Sequence, residues 1–239
     1  MKAVTTFLVL LGLVMPTLAR ANARELTHQT LGEVVKVARA IKAVQPYLGE
    51  TKLMEYGLGI YRASLRYDID VSVLIAIHQQ ETAFRENLPE GRAGEHGISQ
   101  IRKMWLNQAA FKKHFHNPTI RDLHNPAKSF MMAAWILRDL KDRCSKGKSL
   151  PYWSYYNAVR FENRFKYYVA VNRNLSVLHK YQQNLELERQ VADNAQSLSS
   201  PPSPRANAQL ASPVGLPSTG KPRLFWTPPS SDRDVARIN

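Results

Sequence analysis

The stretch "HQQETAFRENLPEGRAGEHGISQI", His78 to Ile101, decides how this chain is read. It follows an apolar run, Val71 to Ile77, that opens at Asp70, a residue suited to capping a helix N-terminus. The spacing predicts a buried helix from Asp70 to Glu81 or just beyond, so a core element ends on a carboxylate. A carboxylate at a helix C-terminus faces the negative end of the macrodipole, and apolar surroundings strip water from it. Both effects favour the neutral form that a general acid needs near neutral pH. Glutamates are common at helix ends, however, and position alone assigns Glu81 no chemistry. Residues 86–99 are rich in Gly, Pro and charge, and are expected to form a loop carrying a second carboxylate, Glu95.

Helical spacing extends on both sides. Leu31, Val34, Val35, Ala38 and Ile41 recur at steps of three and four, broken by Gln45-Pro46 and Gly49. A second pattern covers roughly Lys52 to Arg66, and further ones cover Ile101–Phe115, Pro126–Cys144, Trp153–Asn157 and Phe165–His179. The fold class expected is mostly α, in one domain. Met131, Met132, Trp135, Ile136 and Leu140 form a stripe that reads as core.

The ends differ from this body. Lys2, the apolar run Phe7 to Met15 and the small-x-small Ala21-Asn22-Ala23 have the form of a secretory signal over 1–23, which predicts a periplasmic or secreted protein. Cys144 is the single cysteine, so no disulfide forms within the chain. From about Val191 the composition turns to Ser-Pro repeats, and 191–239 is expected to be a disordered, Pro/Ser-rich C-terminal tail. Within it, "RLFWTPP" clusters Leu224, Phe225 and Trp226, either a frayed end or a docking motif for a protein partner. The net charge is +14, and losing Lys2 and Arg20 with the signal leaves +12. An exported protein of this charge is drawn to anionic envelope surfaces, whereas nucleic acid fits poorly with export. His114, His116 and His124 suggest a metal only weakly, since no Cys or acidic partner completes a set; neither metal nor cofactor is expected. Gly-x-Ser-x-Gly nucleophile motifs are absent.

Four motifs in order resemble the soluble lytic transglycosylases, lysozyme-like (SLT-type) enzymes that cut peptidoglycan glycan strands. They are "QQETAF", "GEHGISQI", the "NPAKSF" opening of a long helix, and "WSYYNAV", with "KYYVAV" further on. The resemblance covers roughly Tyr67 to Asn174. It implies a lysozyme-like catalytic domain over 67–185, with 24–66 as N-terminal helices packed on it. It makes Glu81 the acid/base residue acting on the glycan between N-acetylmuramic acid and N-acetylglucosamine. It also places Thr82, Gly97, Ile98, Ser99, Gln100, Tyr156, Asn157 and Tyr168 at the substrate. Peptidoglycan strands are the implied partner and a monomer the expected state.

The chain departs from the family pattern where Ser99 replaces a methionine and where "NAVRFENR" lacks the usual Gly-Pro. "EHGISQI" also resembles the "DYGILQI" of c-type animal lysozymes, which would put Glu95 at their second carboxylate. Two carboxyls about 5–5.5 Å apart support a retaining hydrolase, and about 6.5–9.5 Å apart an inverting one. Otherwise Glu95 is a charge on the cleft rim. A third possibility is a wall-binding scaffold on the same fold, silent through drift of its cleft. His78, one turn before Glu81, is either packed or in the cleft, and Trp105, Tyr152 and Trp153 are candidates for stacking on sugars.

Overall fold

The computed structural model describes residues 30–144, 149–156 and 160–199. The 1–23 segment and "RLFWTPP" lie outside the described residues, as does Asn157.

Helix α1 spans 30–44 and α2 spans Glu50–Tyr67. They approach closely at Gly57, where a Cβ would sit 3.0 Å from the Val34 carbonyl and 3.2 Å from the Ala38 methyl. Val37, Ala38 and Ile41 of α1 join Tyr56, Ile60 and Ala63 of α2 in the main core. The N-terminal helices are thus part of the domain's interior.

Helix α3 spans Val71–Thr82, and the Asp70 carboxylate accepts the Ser72 N–H at 2.6 Å as the expected cap. Every residue from Val73 to His78 is buried. A helix that is apolar all round must be enclosed, and α3 is packed by α2 and by α7, the long C-terminal helix Phe161–Ser199. Helix α6, Pro126–Cys144, lies along α2. It starts with proline at its first turn, where the missing N–H has no intrahelical partner to lose. Met132, Ile136 and Leu140 are buried as the stripe predicted. The architecture is mostly helical, with α3 as its central rod.

Between α3 and α6 the structure departs from the expected pattern. Glu95–His96 (β1) pairs antiparallel with Ile101–Arg102 (β2), a small hairpin within the expected loop and at the expected start of a helix. A 3-10 turn over Lys103–Asn107 follows, then α4, Ala109–His114, and α5, Ile120–Leu123. The helical spacing over Ile101–Phe115 therefore becomes helix only at its end, because pairing of His96 with Ile101 captures the first residues in a strand. The pattern at Trp153–Asn157 is likewise a 3-10 turn, Tyr152–Tyr155.

Helix α7 corrects the tail boundary. It buries Tyr167, Val171, Leu175 and Leu178, at steps of four, four and three, then runs on through Val191 to Ser199. The sequence from 161 to 199 contains no Gly or Pro, and "LELERQ" is made of good helix formers. Composition changes near 191, but the first helix breaker is Pro201. Among the described residues no helix is long and apolar enough to cross a membrane.

Candidate active site

The end of α3 is shaped by two successive residues in the left-handed region, Ala83 at φ 50° and Phe84 at φ 61°. A bulky residue there costs on the order of 1–3 kcal/mol. Burial of the Phe84 ring, stacked 5.9 Å from Tyr56, offsets that cost. The chain therefore turns sharply just after Glu81-Thr82. The C-terminal carbonyls are met by side chains: Arg85 Nε donates to Thr82 O at 2.9 Å and Gln45 Nε2 to Ala83 O at 2.8 Å.

Glu81 is half-buried, and the Tyr167 hydroxyl of α7 donates to its Oε1 at 2.6 Å. Burial and the adjacent Glu81 charge raise the Tyr167 phenol well above its ordinary range, so it remains a donor. The Tyr167 hydroxyl thereby fixes the position of the Glu81 carboxyl group.

The hairpin turn is docked against this helix end. Gly97 sits at φ 70°, and a Cβ there would fall 1.8 Å from the Leu123 carbonyl oxygen, which only glycine tolerates. Thr82 Oγ1 donates to Ile98 O at 2.9 Å, tying α3 to the turn. Gln100, at φ 46°, donates from Nε2 to Gly97 O at 3.0 Å. Tyr156 donates to the Ser99 carbonyl at 2.9 Å, and burial together with the Glu81 charge holds its phenol well above the ordinary value. Glu81, the 97–100 turn, Tyr156 and Tyr167 thus converge from four separate segments.

Residues 60–175 match the family model of the transglycosylase SLT domain. This segment is similar to the SLT domain. No curated protein and no solved structure matches the chain. The matched segment begins inside α2, ends inside α7, and contains all four converging elements. The match supports, at the level of the family, a transglycosylase-type, peptidoglycan-acting function for this segment.

Within the matched segment several expected substrate contacts have buried side chains. The side chains of Thr82, Ile98 and Ser99 are 1%, 1% and 0% exposed, and face the interior. Tyr168, matched by motif to the family's tyrosine, stacks on Trp153 with ring centroids 5.5 Å apart, while its neighbour Tyr167 reaches Glu81. Sequence reasoning missed Tyr167; its buried register with Val171, Leu175 and Leu178 was the available signal. Trp153 is buried beneath Tyr168, and Trp105 packs edge-on against Trp135.

Glu95 belongs to the hairpin. Its Oε2 accepts the Ala93 N–H at 2.9 Å, and its Oε1 lies 3.4 Å from Arg102 Nε, the cross-strand partner. His114 pairs with the Tyr67 hydroxyl at 2.9 Å and sits among Phe115 and Trp135. No group of three or more His, Cys, Asp or Glu side chains gathers to hold a metal among the described residues. A groove of about 700 Å³ between α2, α4 and α6, floored by Leu58, Met131 and Met132, lies elsewhere. None of Glu81, Gln100, Tyr156 or Tyr167 lines it.

Proposed function

We propose that the protein is a lytic transglycosylase that cleaves the β-1,4 bond between N-acetylmuramic acid and N-acetylglucosamine, with Glu81 as the only acid/base residue. The observation that carries this reading is the convergence of Tyr167, Tyr156 and the 97–100 turn on Glu81. Glu95 stands apart from that group, with both its oxygens engaged by the hairpin that contains it. A retaining or inverting hydrolase needs a second carboxylate free to act on C1 or on water.

One carboxyl suffices for an intramolecular transfer. Protonated Glu81 gives its proton to the glycosidic oxygen as the C1–O bond breaks and N-acetylglucosamine leaves. The resulting carboxylate then takes the proton of the muramic acid 6-hydroxyl as O6 bonds to C1. The acid is regenerated, no water is consumed, and the product carries a 1,6-anhydro end. Gln100 and the 97–100 backbone, with Tyr156 opposite, would contact the sugars. The signal-like start and the excess of 33 basic over 19 acidic residues support export to the periplasm or medium and attraction to anionic envelope polymers, acting as a monomer.

The test is mass spectrometry of fragments released from purified peptidoglycan, with Glu81→Gln as control. Anhydro fragments from wild type and none from the folded variant are expected. Hydrated reducing ends would replace the proposal with a lysozyme reaction, and no fragments from acetylated or deacetylated walls would leave a binding scaffold.

A further inference from the structure

Behind the reactive glutamate runs a buried polar chain that the acid/base step does not use. His78 is wholly buried one turn before Glu81 in α3. Its Nδ1 lies 2.6 Å from the Leu74 carbonyl and its Nε2 2.8 Å from Ser99 Oγ. Ser129 of α6, also wholly buried, donates from Oγ to Ser99 Oγ at 2.8 Å.

The direction of every hydrogen bond follows from donor chemistry. A carbonyl can only accept, so Nδ1 carries the proton. In a neutral imidazole Nε2 is then the acceptor, and Ser99 must donate to it. Ser99 Oγ is left with lone pairs for Ser129. The chain reads Ser129 to Ser99 to His78 to Leu74, with no group unsatisfied and no ambiguity of tautomer.

Its position gives it a role. Ser99 is the middle of the turn that carries Gln100, and its carbonyl is the acceptor for Tyr156, whose phenol feels the Glu81 charge. Two hydrogen bonds on the Ser99 side chain therefore hold, from inside the core, the backbone oxygen that orients Tyr156 from the cleft side. Where the family pattern has a methionine, this chain has a serine drawn inward.

The geometry points to His78, Ser99 and Ser129 as a positioning set that fixes the 97–100 turn and Tyr156 relative to Glu81. The inference rests on the proposed reaction for its kinetic consequence, but its structural content is independent. A sugar held slightly out of line with Glu81 loses rate more than affinity, so Ser99→Ala is expected to lower kcat by about 10-fold with KM nearly unchanged. Ser129→Ala should do so less, and His78→Gln, which keeps an acceptor near the Nε2 position, should retain more turnover than His78→Leu. Activity is measured on purified peptidoglycan with each variant's folded fraction established by circular dichroism.

The long-range 1H–15N spectrum of the imidazole gives the readout that does not depend on catalysis. The wild-type protein should show His78 as the single Nδ1–H tautomer, and Ser99→Ala should shift the Nε2 resonance. An Nε2–H tautomer overturns the proposal, as does an unchanged kcat in folded Ser99→Ala, or a rise in KM alone, which would mean residue 99 meets the glycan itself. If Ser99→Ala does not fold, the wild-type tautomer and the Ser129→Ala kinetics decide. Absence of wild-type turnover would sink the reaction while leaving the tautomer result standing.

Discussion

Acid should destabilise this domain through His78 in a way that one substitution removes. Burial holds the imidazole down to a pKa of about 4, offset only by the Leu74 carbonyl. The groups packed around it are uncharged: the Phe84 and Phe130 rings and the Ser99 hydroxyl. In the unfolded chain the same ring titrates near 6.5. Between those values the unfolded state binds a proton that the folded state refuses, so lowering the pH favours unfolding. The stability contributed by the neutral ring is fully present above about pH 6.5 and is lost as the pH falls toward about 4. The gap corresponds to about 3 kcal/mol in all, of which about 2 kcal/mol falls between pH ~7 and ~5. That is a large part of a typical domain stability of about 5–15 kcal/mol. Urea unfolding followed by tryptophan fluorescence at both pH values, for wild type and His78→Gln, measures it. Wild type should lose about 2 kcal/mol more than the variant, since comparing the two losses cancels both the variant's own destabilisation and every other titrating group. Parallel losses would show that His78 is solvated or already charged, and would refute the buried neutral ring.

Other outcomes follow from the same geometry. Tyr167→Phe removes the hydroxyl on Glu81 Oε1 and should lower kcat by about 10-fold or more, as loss of a charge-assisted hydrogen bond implies, whereas Tyr168→Phe, whose ring stacks on Trp153, should keep most turnover. Glu95→Gln loses the charge facing Arg102 and should lower the unfolding free energy modestly, by about 1 kcal/mol in denaturant titration, while anhydro fragments continue to form. Gly97→Ala drives a methyl into the Leu123 carbonyl and should cost more than about 3 kcal/mol, read as loss of the folded state by circular dichroism.

The course of α3 was legible before any coordinates, since an unbroken apolar run behind an Asp cap has few ways to be satisfied other than as an enclosed helix ending near Glu81. Likewise the Pro126 start and the stripe on α6 are local signals with local causes. The hairpin was not legible: Ile101 and Arg102 read as the start of a helix because the competing partner, Glu95-His96, acts across the turn. The tail boundary erred for a plainer reason, as composition shifts before the helix does, and a helix stops at its breaker, Pro201.

Sequence by itself determined the residue types on which the chemistry depends: Glu81 at a helix end, a Gly-Ile-Ser-Gln turn after it, and tyrosines far down the chain. Only the tertiary structure decided which of those groups meet. Tyr167 and Tyr168 are adjacent in sequence, yet the helical rotation of about 100° per residue sends one to Glu81 and the other to Trp153. The same distinction applies to Ser99 and Glu95. A serine becomes a core hydrogen-bond donor because His78 and Ser129 come from two other helices to meet it, and a carboxylate becomes a hairpin brace because Arg102 faces it across the strands. Spacing along the chain encodes direction within one element, while contact between elements depends on the packing of all of them at once.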